Sequence, residues 1–320
     1  MAAAAEFDFE GAFDFDAARR LPEQVRFGAS SWKYPGWKGS VYRDEYRTKK
    51  AFESDCLAEY GRFPWFRCVG LDHSFYTPAA PAQLDRYAEQ LPPACEWVSK
   101  AWEHLTIARF PRSRRYGSKA GESNPSFLDP NVFREQVLPA YDRDGIRERT
   151  GPFVFQLAPS AADGDVARFL DQLEAFLGAL PTTFRYAVEV RDRELLQPRY
   201  FSILNATGAS HCFNHWTRMP PLADQMEAAQ SGGARPAFVV CRLLTPLGLA
   251  YQKSVERFAP YDRLQAEQPE LRRDLVRLAE SSIERDIPIY ALVNNRVEGH
   301  SPGTIDALGR AIVEGREQGA

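Results

Sequence analysis

Residues 152–190 read PFVFQLAPSAADGDVARFLDQLEAFLGALPTTFRYAVEV, and this stretch decides the fold. It begins with an apolar run at 152–157 and ends with a second apolar run at 185–190. Between them, residues 165–180 place apolar side chains at the i, i+3 and i+4 positions of a helix. A strand, a helix and a second strand in this order form a βαβ unit, in which the two strands run parallel.

The same alternation continues along the chain from Val25. Helical spacing recurs over residues 81–91, 261–285 and 302–318. The other six strand candidates are VRFGAS (25–30), RCVGLD (67–72), CEWVSKA (95–101), SHCFN (210–214), AFVVCRL (237–243) and IPIYALV (287–293). Eight strands separated by helices predict an α/β fold, a (β/α)8 barrel of the TIM type. An open doubly wound sheet is the main alternative, but the first strand-to-helix turn lacks the G-x-G-x-x-G sequence that holds a dinucleotide.

Composition and charge fit one large folded domain. The chain has 320 residues, of which 44% are hydrophobic and 26% charged, and its net charge is −3. A TIM-type barrel reaches this length as one unit, so we predict a barrel over residues 25–320. The net charge gives no general reason to expect a nucleic-acid or membrane partner, and any basic site must be local. A monomer or a weak homo-oligomer is expected.

Cysteine usage and apolar stretches indicate the compartment. The five cysteines form no C-x-x-C pair, so we interpret them as reduced thiols of the core. No apolar run approaches the ~20 residues that span a bilayer, and the N-terminus lacks the features of a secretory signal. We therefore expect a cytoplasmic protein that does not enter the membrane.

Residues 1–24 precede the first strand and contain a near-repeat, Phe7-Asp8-Phe9 and Phe13-Asp14-Phe15. The acidic background shows no sustained period, which is typical of a flexible arm whose phenylalanines dock on the barrel. A tail that binds a partner protein is the alternative.

In TIM-type barrels the functional site lies at the carboxyl ends of the strands, on the loops that lead into the helices. Polar and aromatic side chains gather at those ends here. The candidates, in chain order, are Ser31, Trp32, Asp72, His73, Tyr76, Lys100, Trp102, His104, Gln156, Glu189, Arg191, Asn214, His215, Arg242, Asn294, Asn295 and His300.

Several landmarks give the chain a family resemblance. They are FGASSWKYPGWKGSVY (27–42), LDHSFYTPAAPAQLDRYAEQLP (71–92), VSKAWEHLT (98–106), FVFQLAPS (153–160), YAVEVRDREL (186–195) and VNNRVEGHSPGTIDAL (293–308). In this order they resemble the YecE-like family, also called domain of unknown function 72. The resemblance implies a TIM-type barrel with a pocket lined by these landmarks, and no established substrate. Many members carry an acidic residue and Ile-Asn where this chain has Gly70-Leu71-Asp72.

Lys100, Glu189 and Arg191 are the candidate catalytic residues. Glu189 and Arg191 alternate with valines on one strand, so both charged side chains face the same way. Facing inward, each needs a partner, and Lys100 is the expected partner of Glu189. A desolvated lysine could act as a base or a Schiff-base nucleophile, with Glu189 as an acid-base group. The alternative is a purely structural Lys–Glu–Arg network.

The five histidines, His73, His104, His211, His215 and His300, all lie in or after predicted strand ends. With Asp72 and Glu189 they could hold a divalent metal, which would favour a metal-dependent hydrolase or endonuclease. No spacing fixes such a geometry, so no metal site and no cofactor are predicted. Divalent-metal binding stays an alternative.

Aromatic residues crowd the same end of the barrel, where rings suit a sugar face or a nucleobase. Trp32, Tyr76 and Trp102 are the expected ligand-facing rings. The long loop after the third strand carries Arg109, Arg112, Arg114, Arg115 and Lys119. It could act as a lid that attracts phosphate-bearing substrates, or it could be an ordinary solvated loop.

The last strand leads into an expected anion site. Ser301 is a good N-cap, Pro302 suits the first helical position, and the free amides of Gly303 and Thr304 would attract a phosphate. His300 and Arg242 could add positive charge. A simply capped helix is the alternative.

These observations predict an enzyme that acts on a small polar or anionic substrate, sugar- or phosphate-bearing, in a pocket at the carboxyl ends of the strands. A lyase- or isomerase-like reaction is the main expectation. A metal-dependent hydrolase and a non-catalytic ligand-binding protein are the alternatives. Nucleic acid is a possible partner, although no recognised binding module is present.

Overall fold

A computed structural model describes residues 13–43, 45–159, 161–162 and 164–319 of the chain. Eight parallel strands form one sheet in the order β1-β8-β7-β6-β5-β4-β3-β2. The strands are β1 (Val25–Ala29), β2 (Cys68–Leu71), β3 (Glu96–Lys100), β4 (Thr150–Gln156), β5 (Tyr186–Glu189), β6 (Ser210–His215), β7 (Val239–Leu243) and β8 (Ile289–Val293). Each lies within or next to its predicted range, and the TIM-type barrel is confirmed.

Helices connect the strands on the outside of the barrel. In the described residues they are α1 (Phe15–Arg20), α2 (Lys49–Arg62), α3 (Pro81–Gln90), α4 (Pro130–Val132), α5 (Leu138–Tyr141), α6 (Val166–Gly178), α7 (Pro198–Thr207), α8 (Leu222–Ser231), α9 (Tyr251–Phe258), α10 (Pro269–Glu284) and α11 (Ser301–Gly319). No helix among these residues is long and apolar enough to cross a membrane.

One predicted helix is wrong in its extent. Residues 261–285 were expected to be helical throughout, but α10 begins only at Pro269, and α9 ends at Phe258. Proline has no amide to donate and fits the first turn, so Pro269 opens a helix more readily than it continues one. Residues 261–268 instead form a loop, and Gln265 in that loop donates its backbone amide to the Glu298 carbonyl at 2.8 Å.

Alternate residues along each strand fill the barrel interior in layers. At the amino ends of the strands, the carboxylate of Glu96 accepts hydrogen bonds from Arg26, from Arg185 at 2.5 Å and from the Tyr290 hydroxyl at 2.6 Å. Above this polar layer is a buried apolar layer. Its members are Cys68, Val98, Val154, Ala187, Cys212, Phe238, Val240, Tyr290 and Leu292. The next layer of inward-facing side chains lies at the carboxyl ends of the strands, in the barrel mouth.

The sheet order ends at β1 and β2, and a tyrosine bridges this seam. The Tyr60 hydroxyl, from α2, accepts a hydrogen bond from the Ala29 amide and donates one to the Cys68 carbonyl, both at 2.8 Å. Below it, the Arg67 amide donates to the Phe27 carbonyl at 2.8 Å. A side chain on Gly28 would place its Cβ 2.1 Å from the Cys68 carbonyl oxygen, so glycine is required at this close approach.

A short helix, α1, occurs within the segment expected to be an arm. Asp14 caps it by accepting the Ala17 amide at 2.8 Å, and the Asp14 amide donates to Asp306 on α11 at 2.8 Å. Phe13 and Phe15 pack against Phe63, with ring centres 5.1 and 5.6 Å apart. The second Phe-Asp-Phe unit is therefore part of the packed structure, and the first unit, Phe7-Asp8-Phe9, lies outside the described residues.

Candidate functional site

Glu189 lies at the centre of the barrel mouth. Its side chain is fully buried at the end of β5, and its Oε2 accepts a hydrogen bond from Nη1 of Arg242 at 2.5 Å. Its Oε1 forms an ion pair with Arg191. Burial alone would raise the pKa of Glu189, but Arg191 and Arg242 outweigh it and hold the pKa below its ordinary value. Glu189 is therefore an ionised carboxylate between two guanidiniums.

Arg242 connects this carboxylate to the rest of the mouth. Its Nη2 donates to both carboxylate oxygens of Asp72, at 2.7 and 2.9 Å. The Gln156 side-chain oxygen accepts from Arg242 and from Arg191, each at 3.0 Å. The expected partner of Glu189 was Lys100, and this expectation is wrong. A guanidinium can reach two carboxylates at once because it carries five donors in a plane.

Lys100 lies beside this network without joining its ion pairs. Its Nζ is 3.8 Å from the centre of the Phe75 ring, and no carboxylate of the described residues forms an ion pair with it. Burial, with Arg242 and Arg191, lowers the pKa of Lys100 to about 8, although Asp72 and Glu189 oppose the change. The ammonium is thus desolvated and only partly compensated.

The charges of the mouth do not cancel. Three cations (Lys100, Arg191 and Arg242) face two carboxylates (Asp72 and Glu189), which leaves one positive charge in excess. Burying an uncompensated cation is costly, and a bound anion would remove the cost.

Aromatic and cationic side chains alternate around the opening. Arg115 lies 4.3 Å from the ring centre of Tyr76, and Arg296 lies 4.5 Å from that of Tyr251. We call Tyr76, Arg115, Tyr251 and Arg296 the mouth rim. Trp216, which follows β6, contacts Arg191 with 4.4 Å between the guanidinium and the ring centre.

The basic loop after β3 is folded onto this rim. Residues 114–119 form two short 3-10 turns with a kink at Gly117, and Arg109 and Ser123 are paired as an isolated bridge. The buried carboxylate of Glu103 forms an ion pair with Arg115 and accepts the Tyr116 hydroxyl at 2.9 Å. Arg115 is therefore held over Tyr76 by a carboxylate beneath the loop.

Two of the expected ligand-facing rings pack against neighbouring side chains. Trp32 is only 2% exposed and packs edge-on against Tyr87 and His73, with ring centres 5.2 and 6.0 Å apart. His73 is bound by Gln83 at 3.1 Å, and burial lowers its pKa to about 4. Trp102 stacks on His104 with ring centres 4.1 Å apart. Of the three expected rings, only Tyr76 is strongly exposed.

The candidate asparagines hold loops in place. Asn214 Nδ2 donates to the Val190 carbonyl at 3.2 Å, and Asn294 Oδ1 accepts the Arg296 amide at 3.0 Å. Asn295 Oδ1 accepts from Nε1 of Trp37 at 3.0 Å and from the Ser301 amide at 2.8 Å. These contacts join the first loop of the barrel to the last.

The expected anion site at the start of α11 is wrong, because its amides have protein acceptors. Gly303 donates to Nδ1 of His300 at 3.2 Å, and Thr304 donates to the His300 carbonyl at 3.0 Å. A Cβ on Gly303 would lie 3.1 Å from that same histidine nitrogen, so His300 also fills the space next to the backbone. His300, rather than Ser301, caps the helix.

The remaining histidines are also bound by nearby side chains. His211 contacts the Tyr200 hydroxyl at 3.0 Å, and His215 contacts Gln268 at 3.2 Å. Within the described ranges, no three His, Cys, Asp or Glu side chains are grouped as a metal site would require.

Sequence and structure comparisons place the chain in a family. The model of the family described as "Protein of unknown function DUF72" matches residues 26–319. The chain belongs to the DUF72 family. Nothing among the curated proteins matches it.

Solved structures of DUF72 proteins share the fold. One from Thermotoga maritima has a TM-score of 0.57 at 18% identity, covering 92% of this chain and 99% of that chain. Two structures of a protein from Enterococcus faecalis have TM-scores of 0.56 and 0.54 at 12% and 14% identity, covering 91% of this chain and 97% and 95% of those chains. At these identities the likeness shows the barrel alone.

Within this DUF72 chain, the Gly70-Leu71-Asp72 sequence has clear structural roles. Gly70 lies at the β1–β2 seam, where a Cβ would be 2.9 Å from the Cα of Ser30. Leu71 is fully buried, and Asp72 binds Arg242. Asp72 therefore supplies a carboxylate to the mouth of this chain.

Proposed function

We propose that this DUF72 barrel is an enzyme that binds a small anionic substrate in its mouth and uses Lys100 as the reacting amine. The observation that carries the proposal is a half-buried lysine with a pKa of about 8 and no ion pair among the described residues, next to a network with excess positive charge. Perturbed lysines in a barrel mouth are typical of catalytic amines.

The amine chemistry follows from this environment. At pH 7, a lysine with a pKa of about 8 is neutral in about a tenth of the molecules, against a few in ten thousand for an ordinary lysine. The neutral Nζ can remove a proton from carbon next to a carbonyl. It can also attack the carbonyl carbon, after which loss of water gives an iminium. Both routes lead to lyase- or isomerase-like reactions.

Arg191, Arg242 and Glu189 have supporting roles in this proposal. Glu189 stays ionised between two guanidiniums, so it orients them and does not deliver a proton. The guanidiniums lower the pKa of Lys100 and attract an anionic substrate group. Gln156 fixes both guanidiniums through a single acceptor oxygen.

Reductive trapping tests the proposal. The full chain is incubated with a panel of small carbonyl compounds bearing phosphate or carboxylate groups, reduced with borohydride, digested and analysed by mass spectrometry. We expect an adduct on Lys100 whose yield rises with pH around pH 8. In Lys100→Met the peptide that contains position 100 should carry no adduct. Exposed Lys49 is the control lysine. A Lys100 that reacts like Lys49 across the pH range would overturn the proposal.

A non-catalytic ligand-binding protein is the second candidate. The excess positive charge of the mouth favours anion binding whether or not a reaction follows. Tight binding of phosphate-bearing compounds, lost in Arg191→Gln, together with a Lys100 that forms no adduct, would favour this candidate.

A further inference from the structure

We infer that the substrate bound in the mouth is a nucleoside phosphate, whose base stacks on the exposed tyrosines of the rim and whose phosphate meets the cations below them. The inference rests on the proposed function only in placing the ligand in the mouth. It adds an aromatic base to the anionic group.

The first argument is the exposure of the rim tyrosines. Of the large hydrophobic side chains in the described residues, Tyr76, Tyr251 and Leu247 are exposed, by 56%, 57% and 36%. All three follow carboxyl ends of strands, Tyr76 after β2 and the other two after β7. Exposing two such rings on one face has a free-energy cost that a stacking ligand would recover.

The second argument is that each ring is held by a cation. The guanidinium of Arg115 covers Tyr76 at 4.3 Å, and that of Arg296 covers Tyr251 at 4.5 Å. A guanidinium on one ring face fixes the ring and leaves the other face available to a planar ligand. Aromatic rings with neighbouring arginines are the usual platform for nucleobases, because every base offers a flat π surface.

The third argument is that the two tyrosines serve one opening. Burial raises the pKa of Tyr76 above its ordinary value, and Tyr251 and Asp72 contribute to the increase. Burial likewise raises the pKa of Tyr34, with Asp72 and Tyr251 adding to the increase and Arg296 opposing it. Groups that influence each other's ionisation lie near one another. Both rim tyrosines therefore belong to the same opening as Asp72, which binds Arg242.

The fourth argument concerns the cations. Arg296 forms no ion pair with any carboxylate of the described residues, and its Nε is buried without a hydrogen-bond partner there. Lys100 likewise forms no ion pair with any carboxylate of the described residues, and its Nζ lies over the Phe75 ring. Arg115, in contrast, is neutralised by Glu103. Two uncompensated cations beside exposed rings suit a phosphate attached to an aromatic base better than a sugar phosphate, because a flat base stacks on a ring more extensively than a sugar does.

The proposed ligand, a base linked to a phosphate, has two sources: a free nucleotide and the end of a nucleic-acid strand. Both present a base linked to a phosphate. The net charge of −3 gives no general reason to expect a longer strand. The test includes both.

Equilibrium binding to the full chain tests the inference, using adenosine monophosphate, uridine monophosphate, ribose 5-phosphate, inorganic phosphate and a single-stranded tetranucleotide. We expect both nucleoside monophosphates to bind more tightly than ribose 5-phosphate. Tyr76→Ala and Tyr251→Ala should each weaken nucleotide binding about 5- to 100-fold and leave ribose 5-phosphate unchanged. Tyr76→Phe and Tyr251→Phe keep the ring and should keep the affinity.

The outcomes separate the two proposals. Ribose 5-phosphate that binds as tightly as the nucleotides, together with alanine variants that change nothing, would overturn the inference and leave the proposed function standing. If no phosphate compound binds while Lys100 also forms no adduct, both proposals fail. A tetranucleotide that binds more tightly than the monophosphates supports the inference and identifies the strand end as the source.

Discussion

The guanidinium of Arg242 donates two hydrogen bonds to the carboxylate of Asp72, at 2.7 and 2.9 Å, across the open side of the sheet. Arg242 belongs to β7 and Asp72 follows β2, so the pair spans β8, β1 and the β1–β2 seam. The same guanidinium binds Glu189 on β5. One side chain therefore joins three strands at the barrel mouth.

Removing this side chain should be costly. Arg242→Met leaves the buried carboxylate of Glu189 and that of Asp72 without their shared partner, and we expect a loss of about 3–5 kcal/mol in the free energy of unfolding. Urea denaturation at pH 7 measures it. Arg263→Met removes an exposed ion pair with Asp262 and should change the free energy by less than about 1 kcal/mol. Equal effects of the two substitutions would contradict the network.

Lys100→Met should stabilise the protein at neutral pH. Burial lowers the pKa of Lys100 from 10.5 to about 8, so the folded state carries a penalty for the charged amine. The penalty is complete below pH 8 and disappears as the pH rises from 8 to 10.5, because the unfolded chain then holds the extra proton. We expect a gain of about 1–3 kcal/mol at pH 7 that shrinks by pH 10.5. The matched control is Lys49→Met, and a gain independent of pH would refute the assignment.

The seam depends on the Tyr60 hydroxyl. Tyr60→Phe leaves a buried amide of Ala29 and a buried carbonyl of Cys68 without this partner, at an expected cost of about 1–3 kcal/mol. Thermal unfolding and amide hydrogen exchange at Ala29 measure it, and Tyr251→Phe on the surface serves as the control. Unchanged exchange at Ala29 would show that the hydroxyl does not hold the seam.

His300 should contribute to acid sensitivity. Burial lowers its pKa from 6.5 to about 4, so its neutral ring, which accepts the Gly303 amide, is favoured in the folded state. Its contribution is complete above pH 6.5 and is lost as the pH falls toward 4, by up to about 3 kcal/mol. His300→Asn keeps a capping acceptor, and its stability should fall less than that of the wild type between pH 6.5 and 4.5. If urea denaturation shows that the wild type and His300→Asn lose the same free energy of unfolding between pH 6.5 and 4.5, His300 does not have this role.

The barrel could be predicted because its strands and helices differ in pattern. Strands buried on both faces are short apolar runs, as in residues 152–157 and 185–190, and the helices between them show a clear period. The prediction of one helix over residues 261–285 was wrong because the helical spacing of apolar residues continues on both sides of Pro269. A periodic pattern does not show where a proline begins a new helix.

For the barrel mouth, the sequence predicted which residues lie there but not which contacts they make. Strand ends indicated Glu189, Arg191, Arg242 and Asp72 as members of one opening. Which cation binds Glu189 depends on side-chain reach across the ring, and this is not encoded in local spacing. Burial of Trp32 and the capping of α11 by His300 likewise depend on tertiary packing, since each residue has a plausible exposed role in its own segment. The Tyr60 bridge carries no local signal at all.

The packing of α1 on α11 places Arg20 against Glu317 in an ion pair, and the Asp14 amide on Asp306. Residues nearly 300 positions apart in the chain are thus neighbours in space. A short peptide joining these two helices would close a ring at little entropic cost, and the chain could then be opened elsewhere, for instance at the left-handed Gly208 turn between α7 and β6. Such a circular permutant would keep every strand neighbour and change only which strand the ribosome makes first.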